Sequence, residues 1–314
     1  MCRLAWPAVK TRRQAAALLA LAVAAALHTA AGGTVAPGKI RFRIAVSAST
    51  VEGINDNDAR AAMKIWGDTV AEGMGLDGIY DASILSQPEE VLQAARGGKV
   101  DALVITSAEY PRLAAYVDHG LVIADESLIN EGDEYLLLVH QQSGIRDLGD
   151  LRGRTLILQR GVRMCLARPW LETLLARAGL GGAGECFARI TQEFKPPMAV
   201  LPVFFHRADA ALISRRAFAA MAEMNPQLGK QLRVLAASPK LIDTVILFRK
   251  DAAPDLKERL KNMMLGVHQT VAGQQILTLF QSRRLAATDT SVLRGALEMI
   301  ADYERLPGRN GPPR

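Results

Sequence analysis

The sequence runs to 314 residues, 49% of them hydrophobic, a length that accommodates two ordinary domains and a composition that excludes a disordered chain. The formal charge of +6 belongs mostly to residues 1–31, which carry Arg3, Lys10, Arg12 and Arg13 and no acid; without them the balance is +2. So nearly neutral a remainder, in a chain with 5% aromatic residues, supplies neither phosphate neutralisation nor stacking platforms, and nucleic acid is excluded as a partner.

The first residues read as a leader. Met1 to Gln14 is basic, Ala15 to Leu27 is apolar, and Thr29-Ala30-Ala31 has the small side chains that a signal peptidase accepts. Residues 1–31 are therefore expected to be a cleavable signal peptide and the mature chain periplasmic. The apolar run is short of the ~20 residues that a spanning helix needs. Thr11-Arg12-Arg13 leaves open whether export takes the general or the twin-arginine route. Cys2 departs with the leader, and Cys165 and Cys186 remain as an even pair in an oxidising compartment, where a disulfide is expected over two buried thiols.

From Gly38 the chain alternates strands and helices. Ile40, Phe42, Ile44 and Val46 alternate with Arg41, Arg43 and Ala45, the period of a half-buried strand. After the polar loop Ser47 to Asp58, Met63, Trp66, Val70 and Met74 recur at helical spacing, with Trp66 assigned to the core. A strand over 79–85 follows, then a helix over 87–96 between the capping pattern Ser86-Gln87-Pro88-Glu89 and Gly97-Gly98. Residues 100–105 form a nearly continuous apolar run, as in a buried strand, before a helix over 108–117 and a strand over 121–124. Further on, strands over 155–158, 187–191, 209–213 and 233–236 alternate with helices over 164–178, 198–205 and 216–224. One more strand, 244–248, precedes helices over 256–280 and 291–303, and 306–314 reads as a flexible tail.

The two halves meet in Asp133 to Gly161. On either side, GGKVDALVITSAEY and FHRADAALISRRAF superpose at an offset of 108 residues, which puts Asp101 on Asp209, Thr106 on Ser214 and, further out, Pro88 on Pro196. The expected fold is α/β, with two similar lobes, each a mixed, mostly parallel sheet flanked by helices. Lobe 1 comprises 38–138 plus 246–305 and lobe 2 comprises 139–245. Two crossing strands join them, and two crossings make a hinge.

The leader, KVDALVITSAEYPRLAA, SGIRDLGDLRGRTLIL and RADAALIS together resemble the periplasmic solute-binding proteins of the phosphate, phosphite and phosphonate group, within the two-lobed type II periplasmic binding protein superfamily. The resemblance covers about Ile40 to Tyr303. It implies an exported receptor that closes two lobes around a small polar or anionic solute, for an ABC transporter permease or a membrane sensor, as a monomer and without a cofactor. Where the group usually has Gly-Pro-x-Ser-Tyr this chain reads Thr106-Ser107-Ala108-Glu109-Tyr110, and where it usually has Ser-Thr-Ser-Gly this chain reads Val162-Arg163-Met164-Cys165. The hydroxyls that would bind a phosphoryl oxygen are thus missing, and the fold carries over better than the ligand.

In open α/β sheets ligands sit beyond the carboxyl ends of the strands. That rule selects Ser47, Ser49 and Thr50, then Thr106, Ser107, Glu109 and Tyr110, then Arg160 and Arg163, and Ser214. The two arginines could give an anion charge-assisted bonds or could face water. Glu109 would disfavour a bare phosphonate and favour an amine or hydroxyl-rich group, unless it too is exposed. His119, His140, His206 and His268 are isolated, with no metal-ligand spacing, and neither a GxSxG nor a cysteine paired with a histidine base occurs. The chain reads as a receptor without catalytic residues or metal; the alternative is an enzyme on the same two-lobed scaffold.

Overall fold

The computed structural model describes residues 42–53, 55, 57–61, 63–64, 67, 80–279 and 281–307. Strands β1 (Phe42–Ser47), β2 (Tyr80–Leu85), β3 (Ala102–Thr106) and β4 (Val117–Asp125) are followed by β5 (Tyr135–His140), β6 (Thr155–Gln159), β7 (Arg189–Glu193), β8 (Ala210–Ser214) and β9 (Leu232–Ala237), and then by β10 (Thr244–Arg249) and β11 (Leu285–Thr288). They form a six-stranded sheet of order β2-β1-β3-β10-β4-β11 and a five-stranded sheet of order β7-β6-β8-β5-β9. Each sheet with its helices forms one lobe, and the two orders match strand for strand until β11.

In both sheets the first strand pairs in parallel with the second and the third. In both, the strand that arrives from the other lobe, β10 or β5, is inserted antiparallel beside the third. The sheets are therefore mixed, and the exchanged strands supply most of the antiparallel pairing.

The offset of 108 residues has a structural counterpart. Strands β3 and β8 are separated by it at both ends, as are the helices α1 (Pro88–Arg96) and α4 (Pro196–Phe204). The matched aspartates do the same work: Asp101 accepts from Arg43 N (2.9 Å) and Arg43 Nη2 (2.7 Å), while Asp209 accepts from Thr155 N (2.8 Å) and Thr155 Oγ1 (2.7 Å). Each ties the start of its own strand to the start of the first strand of its lobe, which fixes the parallel register where no turn can do so.

Between α1 and α4 lie α2 (Glu126–Glu131) and α3 (Ala167–Arg177), and after them α5 (Arg215–Met224), α6 (Pro226–Gln231), α7 (Pro254–Gly266), α8 (Val271–Leu279) and α9 (Arg294–Glu304). The single helix expected over 256–280 is two. A turn of 3₁₀ helix, Val267–Gln269, separates α7 from α8, and Gly273 lies so near Val267 that a Cβ would sit 1.9 Å from its carbonyl oxygen. Only a glycine permits that reversal. Strand β11 and helices α2 and α6 were not expected.

The chain passes between the lobes at 132–134 and 238–243 and once more where it enters α9, and at the first two passages Asp133 and Leu241 exchange two backbone hydrogen bonds of 2.9 Å as an isolated antiparallel bridge. The expected boundaries at 138/139 and 245/246 fall inside β5 and β10. Helix α9, expected with the first lobe, buries Ala296, Met299 and Ile300 in the core of the second, beside Trp170 and Leu175, and its Asp302 pairs with Arg177 (2.8 Å). The leader 1–31, Ile40, Trp66, Val70, Met74 and the tail beyond 307 lie outside the described residues. Among the described residues no helix is long and apolar enough to cross a membrane.

Candidate functional site

The loops after β1 and β3 are held to each other by Glu109. Its Oε1 accepts from Ser47 Oγ at 2.5 Å, and its Oε2 accepts from both Thr106 N and Thr106 Oγ1 at 2.9 Å. A carboxylate with three donors is a brace between strand ends, and its oxygens are engaged inside the first lobe. Ser47 also accepts from the N–H of exposed Ser49 (3.3 Å), and Thr50 Oγ1 donates to Ser47 O (2.8 Å). Tyr110 turns inward: it is buried and its hydroxyl meets His119 Nδ1 at 2.9 Å, with burial raising its pKa above the ordinary tyrosine value. Buried Ser214 caps α5 by accepting from Ala217 N (3.2 Å).

The arginines of the second lobe cross the cleft. Arg160 pairs with Glu52 and lies 4.9 Å over the Phe194 ring, against which Gly53, at φ +89°, packs so closely that a Cβ would stand 3.1 Å away. Arg163 donates from Nε to Gln281 Oε1 (3.1 Å) and from Nη2 to Gln281 O (2.9 Å). Arg216, in the first turn of α5 two residues beyond Ser214, donates from Nη1 to Ser127 Oγ (2.8 Å), and its backbone N donates to Asp133 Oδ1 (3.2 Å).

Where these contacts converge, five buried polar atoms make no hydrogen bond: Asp133 Oδ2, Arg163 Nη1, Arg216 Nη2, Asp243 Oδ2 and Thr244 Oγ1. They come from the two bridged crossing segments, from the first residue of β10, from the turn after β6 and from the first turn of α5. Such atoms cost about 1–3 kcal/mol each when left unpaired, so this cluster at the lobe junction is the candidate place for polar groups from outside the chain. Arg163 Nη1 stands 3.6 Å from Asp243 Oδ2. Burial raises the Asp243 carboxyl above the ordinary carboxylate value, against the opposing pull of Arg163. For Asp125 burial acts the same way but is outweighed by the Ser127 and Ser282 hydroxyls and the Leu128 N–H, which leave its carboxyl below that value.

A cavity of about 140 Å³ opens from this cluster into the first lobe, with Arg163, Asp243 and Thr244 at its polar end. Of the four residues that the rule about strand ends does not reach, Arg216 stands two positions beyond Ser214, whereas Asp133, Asp243 and Thr244 sit in or beside the crossings.

The expected disulfide is corrected: Cys165 and Cys186 are both free. Cys186 sits at the beginning of β6, where its carbonyl accepts from Gly153 N (2.8 Å), and Cys165 lies beyond its other end, with Sγ 3.8 Å from Ser107 Oγ and from Asp243 O. Five strand residues, about 16 Å, lie between, whereas bridged cysteines need Cα atoms within about 7 Å. Burial, followed by the charge of Asp243, pushes the Cys165 thiol up to about 12, far from a thiolate nucleophile. Among the described residues no group of three or more His, Cys, Asp or Glu is placed to hold a metal.

Two sheets of matching order, exchanged central strands and a polar cluster at the crossings define the two-lobed solute-binding class. A family model described as ABC transporter, phosphonate, periplasmic substrate-binding protein matches residues 54–293, and the chain belongs to that family. It is a ligand-binding receptor of the kind that serves ABC transporters. Among solved structures the fold is similar to XAC2383 from Xanthomonas citri bound to ATP, with 19% identity and a TM-score of 0.60 over 86% of this chain and 99% of that one. It is also similar to PhnD1 from Prochlorococcus marinus in complex with methylphosphonate, with 12% identity and a TM-score of 0.57 over 85% and 99%. A phosphonate-transporter binding component from Pseudomonas aeruginosa shares 14% identity, with a TM-score of 0.54 over 86% and 91%. No curated protein sequence matches the chain.

Proposed function

We propose that the chain is exported, loses residues 1–31, and as a monomer captures a small oxyanion of the phosphonate class between its lobes for an ABC permease, without catalysis. The anionic group is held by Arg163 Nη1, Arg216 Nη2 and Thr244 Oγ1, and Asp243 donates to it when protonated. Glu109, Ser47 and Thr106 shape the site from behind; Arg160 closes its rim. The observation that supports this reading is the pair of buried guanidinium N–H groups without acceptors, Arg163 Nη1 and Arg216 Nη2. A phosphonate oxygen supplies acceptors to both through charge-assisted bonds, and binding biases the chain toward closure.

Calorimetry with methylphosphonate tests it. The parent protein is expected to bind, and Arg163→Ala and Arg216→Ala each to lose about 1.5–3 kcal/mol, the range for a hydrogen bond to a charged group. Undiminished affinity in both variants would place the anion elsewhere.

A further inference from the structure

The cavity extends well past the polar cluster, and its far end is apolar. Val46, Val104, Ile123 and Ile246 of the first sheet form one wall and Ile276 and Leu277 of α8 form the other. Val104 and Ile246 are register partners on β3 and β10, the two central strands of a six-stranded sheet, where full burial is the rule. Both are only half-buried, while Leu103, Ile105, Val245 and Leu247, on the opposite face, are 0% exposed. One face of the middle of the sheet is thus left open beside the polar cluster.

An apolar space of this kind does not recruit water, which needs two to four polar partners; roughly 150 Å³ of such space admits benzene. Resting on the anion reading above, we infer that the solute carries an apolar substituent of about six carbons, its acidic group held at Arg163 and its tail lodged between β3, β10 and α8. The ligand class is then an alkyl or aryl oxyacid, not a compact polar anion. Arg163 and Thr244 line the same cavity as Val104 and Ile246, so an acidic head held in the cleft at that mouth directs its tail into the apolar space.

The test is a calorimetric series on the mature protein with methyl-, propyl-, hexyl-, phenyl- and decylphosphonate. Affinity is expected to rise about fourfold per methylene, the factor that roughly 0.8 kcal/mol converts to, to level off near hexyl or phenyl, and to gain nothing at decyl. Measurable methylphosphonate binding with no rise along the series overturns this inference and leaves the anion site standing. Failure of every member to bind overturns both. Val104→Phe, which fills the cavity from β3, is expected to reduce the ratio of hexyl to methyl affinity at least tenfold; Ile276→Phe does so from α8 should the first variant not fold. A ratio unchanged in the folded variants would show that the tail lies elsewhere and sink the proposal.

Discussion

Asp243 is where acidity and binding meet. Its carboxyl is raised above 3.8 in the folded chain, first by burial. A raised acid favours the folded state fully below its unfolded pKa, and that contribution is lost as pH climbs through the folded value. An anion bound alongside raises the pKa again, so capture takes up a proton and weakens as pH rises through the same window. Asp243→Asn is expected to flatten the pH dependence of methylphosphonate affinity and to strengthen binding at neutral pH; calorimetry on both sides of the transition reads both effects. Intact mass after alkylation of the denatured, unreduced mature protein is expected to show two modified thiols, those of Cys165 and Cys186. At this scale the sequence showed which residues stand at strand ends but not where they point. Arg163 was legible because a helix head beyond β6 faces the crevice. Glu109 stands in an equally suitable loop, yet Ser47 and Thr106 take both its oxygens, a contact made across 62 residues of chain.

Among the elements, the strands were the most legible, since burial on both faces leaves apolar runs whatever the register. Duplication was legible too, because Asp101 and Asp209 must stand at the same point in each lobe to tie adjacent strand starts. Asp101→Ala is expected to cost about 1–3 kcal/mol of stability, the range for leaving buried donors unpaired, as read from a urea midpoint. Harder to see were β11, a run of small residues without alternation, and the break between α7 and α8, whose local signals, Gly266 at the end of α7 and Thr270 Oγ1 accepting from Gly273 N (3.0 Å), stand inside an otherwise continuous helical pattern. The rim contacts were invisible as pairs. Glu52 with Gly53, Arg160, and Phe194 come from three separate loops and meet only in the folded chain. Arg160→Ala combined with Phe194→Ala is expected to raise the ligand-free radius of gyration measured by X-ray scattering, with saturating ligand restoring the parent value.

For the whole molecule, the first sheet is not made from one continuous stretch, and the second, whose strands run consecutively from β5 to β9, does not complete its own core. The first needs β10 at its centre, and the core of the second takes Ala296, Met299 and Ile300 from the last helix of the described chain. At 5–20 residues per second, on the order of 10 s passes between synthesis of Trp170 and of the residues that cover it. During that interval the nascent polypeptide has no finished lobe to bury its apolar strands. In a chain built this way the core of the second lobe closes last, when α9 covers Trp170 and Leu175.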